Sequence, residues 1–172
     1  TGFIAYEPRT ETKFSLTATA ADSSGWSANV HRSIDKLGVI ERTQFAIQKA
    51  KQSANPREID PGRYTVILEP SALSGLIGPM IWEMDAKSYY KHTSPFEGKL
   101  GEAILDRRLS LINKPDHEDL AGSGFNQEGL PAKELAWVDR GVLKTLRYDR
   151  YTAQEQRVDP TPSFDSPCLF GT

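Results

Sequence analysis

One cysteine in 172 residues, Cys168, rules out an internal disulfide and suits a reducing cytoplasm. Histidine is nearly as scarce. His31, His92 and His117 stand far apart, so no helix carries two zinc ligands four residues from each other. No apolar run approaches the roughly 18 residues of a membrane span, and no membrane association is expected. Basic excess is missing too. A net charge of −2 and a pI near 5.9 speak against a direct grip on nucleic acid. Thr1-Gly2-Phe3-Ile4 has neither the basic region nor the apolar core of a signal peptide. It lacks an initiating Met, and the natural protein is expected to extend upstream.

What remains is ordinary globular material, 38% hydrophobic and 26% charged. The length suits one domain with a single core. Phe14, Leu16, Ala18 and Ala20 alternate with Lys13, Ser15, Thr17 and Thr19. That period of two predicts a half-buried strand over Thr12–Ala21. Asp22-Ser23-Ser24-Gly25 reads as a turn and Trp26–Val30 as the return strand. Phe3–Tyr6 is a further candidate strand. Gly38–Asn55 reads as a helix with Ile40, Ile47, Ala50 and Ala54 near one face. Arg63–Leu68 is β-branched and aromatic, as for a strand covered on both sides. Pro70-Ser71 starts a helix that carries Leu73, Leu76, Ile77, Ile81 and Trp82 inward, with a break expected at Gly78-Pro79.

Leu109–Ile112 reads as a short strand, and Lys114–Gly129 as a loop. Glu134–Val138 and Val142–Tyr148 form a hairpin around Asp139-Arg140-Gly141, where Gly141 supplies positive φ. Replacing Gly141 with Val is expected to cost about 1 kcal/mol. The tail with Pro160, Pro162 and Pro167 is expected to be extended or disordered. The order of elements predicts an α+β fold, a largely antiparallel sheet with a central helix.

The residues alone do not point to a chemistry. Asp116-His117-Glu118-Asp119 is a local cluster, but adjacent loop residues rarely converge on one ion. Tyr89 and Tyr90 lie between cations, yet stacking on nucleic acid wants a basic domain; surface packing is the better reading. Cys168 has no neighbouring cation in sequence to lower its pKa. Gly122-Ser123-Gly124 precedes no helix and no Lys-Ser/Thr pair, so it is no phosphate loop. Ser71, Ser110 and Ser123 occupy no nucleophile elbow.

A family resemblance adds what those residues do not. Asp60-Pro61-Gly62-Arg63-Tyr64-Thr65-Val66-Ile67-Leu68-Glu69-Pro70-Ser71-Ala72 resembles the segment that leads into the central helix of the TldD/PmbA family, the peptidase-related modulators of DNA gyrase. Phe96–Glu102 resembles the turn after that helix. Phe125-Asn126-Gln127-Glu128-Gly129-Leu130-Pro131-Ala132 resembles the family's Asp-Glu-Gly-x-Pro loop, and Val138–Lys144 the hairpin that follows. Asp149–Ala153 continues the match.

The resemblance implies a larger two-domain protein. Residues 1–57 would end the N-terminal-domain-like region and 58–153 begin the C-terminal-domain-like region. Residues 154–172 would form a Pro-rich tail, with 1–172 as a single domain. TldD-type members of the family carry His-Glu-x-x-x-His on the central helix and a downstream cysteine as third zinc ligand. PmbA-type members lack these ligands, and the two types can pair into one peptidase. Here the first His position falls on Trp82 and the second on Lys87 or nearby. Glu83 alone matches and is the candidate catalytic residue. No metal or other cofactor is expected in this chain. Gln127, Glu128 and Gly129 are candidate peptide-binding or cleft residues.

The implied function is peptide processing as a metal-free partner subunit in the cytoplasm. The partners would be extended peptide and either a TldD-type protein or a second copy. Two alternatives stand beside it. One is an active zinc peptidase whose ligands lie outside these residues. The other is a regulatory binding protein without proteolysis.

Overall fold

The computed structural model describes residues 4–120, 122–162 and 164–171. They fall into two compact units. One is Arg9–Leu73; the other gathers the described residues of Thr1–Pro8 and of Ser74–Thr172. The sequence reading set its regional change at 57/58, whereas the compact units change after Leu73, inside a helix.

In the Arg9–Leu73 unit, β1 (Thr12–Thr19) and β2 (Ser24–His31) form an antiparallel hairpin with Leu16 opposite Ser27 and Ala18 opposite Gly25. The expected alternation holds. Phe14, Leu16 and Ala18 are half-buried while Lys13, Ser15, Thr17 and Thr19 face solvent. After a 3-10 turn, α1 (Val39–Gln52) packs on this hairpin. The buried residues of α1 are Ala46 and Ala50, so of the expected face Ala50 alone is buried. Ile40 is 70% exposed and Ile47 is also exposed. Small side chains face β2 because the two backbones nearly touch at Gly25, where a Cβ would sit 2.1 Å from the Ala46 carbonyl oxygen.

Two expected strands do not form. Arg63–Leu68 is irregular and exposed, with Ile67 wholly in solvent. Strand preference expresses fit to a pleated neighbour, and among the described residues no strand pairs with this segment. Of Phe3–Tyr6, Phe3 lies outside the described residues, and Ile4–Tyr6 are exposed and irregular.

The second unit holds the larger sheet. Its strands β3 (Leu109–Asn113), β4 (Leu135–Asp139), β5 (Val142–Leu143) and β6 (Pro167–Gly171) lie in the order β5-β4-β3-β6, each neighbour antiparallel. The α+β class with antiparallel sheets is therefore the observed one. A register shift at Leu111/Ile112 inserts one extra residue into β4. That bulge lets consecutive residues, Trp137 and Val138, both be fully buried, against the usual alternation. Trp137 stacks on Phe164 with ring centroids 4.0 Å apart.

Arg140 and Gly141 both have positive φ, 46° and 80°, which makes the β4–β5 connection the two-residue hairpin turn expected from Asp139-Arg140-Gly141. The return strand is shorter than expected. After Leu143 the chain leaves the sheet, and Arg147 pairs with the segment after the central helix: its N–H donates to the Met84 carbonyl at 2.7 Å and its carbonyl accepts from Ala86 N–H at 2.9 Å. The tail takes the extended one of the two expected forms: Pro167–Gly171 is the ordered edge strand β6, and a helix, α4 (Arg150–Gln156), precedes it. Pro is tolerated at the first position of an edge strand, and β6 gains five partner residues on β3 from Leu109 to Asn113.

The central helix, α2 (Pro70–Glu83), runs unbroken through Gly78 and Pro79. In its Ser74–Glu83 part Ile77, Met80 and Ile81 pack against the core of Met84, Trp137, Leu143 and Leu146. Leu76 and Trp82, expected inside, are exposed. Among the described residues no helix is long and apolar enough to cross a membrane.

Candidate functional site

The residues that the resemblance aligned with a zinc helix do not share one helix. α2 ends at Glu83 and α3 (Ala86–Tyr90) begins after a break. Asp85 makes the break: its Oδ2 accepts from the N–H of Ser88 at 2.9 Å and caps α3. Trp82 and Lys87 thus lie on two different helices, on either side of the break.

The neighbours are equally unsuited to a cation. The Arg147 guanidinium lies over the Trp82 ring, 5.2 Å from its centroid. Its Nη2 is 3.5 Å from Asp85 Oδ1, and Lys87 adds a second positive charge to the segment. The Glu83 side chain is exposed, and its backbone carbonyl accepts from Ser94 Oγ at 2.7 Å. Among the described residues no three His, Cys, Asp or Glu side chains come together to hold an ion. The donor set here, a tryptophan flanked by arginine and lysine, does not fit zinc.

Arg147 is the residue that sequence reasoning missed. It sits in the stretch expected to be plain return strand, and its role depends on the pairing with Met84 and Ala86 described above. With Trp82 it lines a cleft of about 390 Å³ whose other walls are Gly78, Ile81, Phe164, Asp165 and Pro167.

Gln127, Glu128 and Gly129 form a turn of their own. Asn126 Oδ1 accepts from the N–H groups of Glu128 and Leu130, both at 2.9 Å, and Gly129 has φ 72°. The Arg150 guanidinium donates to the Glu128 carbonyl at 3.2 Å, and Arg150 N–H donates to the Glu128 carboxylate at 3.3 Å. The described contacts of Glu128 therefore run to the start of α4. No described contact joins this loop to Glu83.

The remaining candidates resolve into packing. His31 is buried in β2, its Nδ1 accepting from Ser33 N–H at 2.9 Å. His92 pairs with Glu97, and His117 Nδ1 accepts from Asp119 N–H at 3.2 Å. Tyr90 meets Tyr89 edge-on and shares a 3.1 Å hydroxyl contact with Tyr148. Burial, helped by that contact, pushes the Tyr148 phenol above its ordinary range. Cys168 lies in β6 opposite Ile112. Burial pushes its thiol up, and the Lys114 charge opposes this only weakly. Less thiolate exists at any pH below the raised value, so iodoacetamide should alkylate Cys168 severalfold more slowly in the folded chain than in urea. Mass spectrometry over a time course at neutral pH measures this; equal rates would show the thiol to be unshielded.

The geometry has recognisable counterparts. The chain is similar to a metalloprotease of Methanothermobacter thermautotrophicus, 27% identical over 160 residues that cover 85% of this chain and 34% of the relative. A solved structure of a candidate modulator of a DNA gyrase from Thermotoga maritima superimposes with a TM-score of 0.79 at 29% identity, covering 88% of this chain and 36% of that one. TldE from Thermococcus kodakarensis shares the fold, with a TM-score of 0.71 at 19% identity over 94% of this chain and 39% of its own. The chain thus spans about a third of the length of these relatives. The family model described as the PmbA/TldA metallopeptidase C-terminal domain matches residues 61–166, which include α2, the break at Asp85, the strands β3, β4 and β5, and Arg147. With the antiparallel fold and the central helix, that match establishes that this chain belongs to the TldD/PmbA family.

Proposed function

We propose that this chain works as the metal-free, PmbA-like member of a peptide-processing pair. It binds extended peptide and a TldD-type partner and leaves hydrolysis to the partner. One observation supports the reading: Trp82, which the resemblance aligns with the family's first zinc histidine, carries the Arg147 guanidinium on its ring, and the helix ends before Lys87. A zinc peptidase needs neutral imidazoles to hold the ion and a carboxylate to activate its water. Glu83 without an adjacent ion has no polarised water to deprotonate. Peptide capture is supported by the open side of β6, an edge strand whose outer backbone groups can pair with an added strand.

Elemental analysis of the protein should give far less than one zinc per chain. The protein alone should not cleave an unstructured peptide. Mixed with a TldD-type partner from the same cell, it should give cleavage that a chelator abolishes. Glu83→Gln should leave that rate nearly unchanged. One tightly held zinc per chain, or a loss on the order of a hundredfold in the Glu83 variant as for removal of a general base, would return the protein to the class of intact peptidases.

A further inference from the structure

The Trp82–Arg147 cleft joins a cation to a mostly apolar lining. Arg147 is fixed through its backbone on both sides, to Met84 and to Ala86. Its side chain crosses the face of Trp82, and its Nε is buried, so the terminal Nη groups are the ones a ligand in the cleft would meet. A guanidinium presents five N–H donors in a planar fork. Here its one described ionic neighbour is Asp85, at 3.5 Å, beyond a strong charge-assisted bond. The rest of the lining is mostly apolar: Gly78, Ile81, Trp82, Phe164 and Pro167, with Asp165 as the other charged residue. Gly78 leaves its part of the wall open, since a Cβ there would meet nothing within 4 Å.

Arg147 beside an apolar hollow of about 390 Å³, with Asp165 as the acidic member of the lining, suits an apolar side chain next to a carboxylate. We propose that this cleft binds the free C-terminal carboxylate of a peptide ending in an apolar residue, with Arg147 as the anion anchor and Gly78, Ile81 and Phe164 receiving the last side chain. The proposal rests on the peptide-binding reading above and names the end of the peptide that this chain holds. Pro167 belongs both to the cleft lining and to the edge strand β6. A peptide anchored here starts beside the strand edge along which it would extend.

The test compares two ligands on an unaltered protein. Acetyl-Ala-Ala-Leu as the free acid and as the C-terminal amide are titrated calorimetrically. The acid should bind about tenfold more tightly or better, because the amide forfeits the bidentate charge-assisted pair. Arg147→Gln should erase the difference, and Gly78→Leu should weaken both peptides by filling the hollow. If Arg147→Gln fails to fold, the acid–amide comparison and Gly78→Leu still decide. Equal affinities, no binding of either peptide at millimolar concentration, or a preference for the acid that survives Arg147→Gln would overturn the proposal. The zinc and partner assays test the parent reading separately. Partner-dependent cleavage with no acid preference would remove the anchor alone, whereas acid preference in a zinc-bearing chain would remove the metal-free role alone.

Discussion

Gly25→Ala should destabilise the Arg9–Leu73 unit by about 3 kcal/mol, the upper end of the cost of overpacking a filled site. The added methyl would lie 2.1 Å from the Ala46 carbonyl oxygen and 2.6 Å from the Ala50 amide nitrogen. Both are helix backbone atoms, so neither can swing aside as a side-chain tip would. α1 would have to lift from β2 as a body and surrender the burial of Ala46, Ala50 and Ser27 together. Lys49 would feel the shift as well. Its ammonium donates to the Trp26 carbonyl at 3.0 Å and pairs with Glu69 at 2.7 Å. Urea unfolding followed by far-ultraviolet circular dichroism measures the loss. A midpoint within error of the wild type would mean that α1 does not seat on β2 at this point.

Gly141→Val should cost at least about 2 kcal/mol, more than the 1 kcal/mol that a turn glycine alone suggests. Two penalties act together. A β-branched residue at φ 80° carries backbone strain of about 1–3 kcal/mol. The new Cβ would also stand 2.4 Å from the Leu105 carbonyl oxygen, an overpacking cost of about 1–3 kcal/mol. Gly141 is a hub as well as a turn. Its N–H donates to the Leu109 carbonyl at 2.8 Å, and its own carbonyl accepts from Ile104 at 2.8 Å and from Leu105 at 3.1 Å. Gly141→Ala separates the terms, since it keeps the clash and removes the β-branch. The Ala variant should lose most of what the Val variant loses. A loss near 1 kcal/mol for Val would show that the Leu105 segment yields.

These two glycines mark where reading from residues reached its limit. Gly141 announced its turn, because Asp-Arg-Gly between apolar runs has few other uses. Its contact with Leu105 joins residues far apart in the chain and leaves no local trace. Gly25 read as the end of a turn; in the fold it is the seat of a helix. The face of α1 was misread for the same reason. Ile40 and Ile47 are the larger apolar side chains, but the close approach at Gly25 admits only alanines.

Local chemistry alone fixed the β1–β2 hairpin, α1, the start of α2 at Pro70, β3 and the turn at 139–141. In each, periodicity or backbone preference acts over a few residues and needs no distant partner. The departure from the family's zinc motif was equally local, since it lies in the residue types that the resemblance aligns with the two histidines, Trp82 and Lys87. Other features were settled by contacts remote in sequence. Arg63–Leu68 has every preference for a strand, yet no described strand lies beside it. Pro167–Gly171 has weak preference and becomes one, because β3 offers an open edge with matching register. Arg147 read as an ordinary strand residue. It turns into the cation on Trp82 only because the chain leaves the sheet after Leu143 and pairs with Met84 and Ala86. A side chain's type is written at its own position, while the company it keeps is set by which distant backbone has hydrogen bonds left to give.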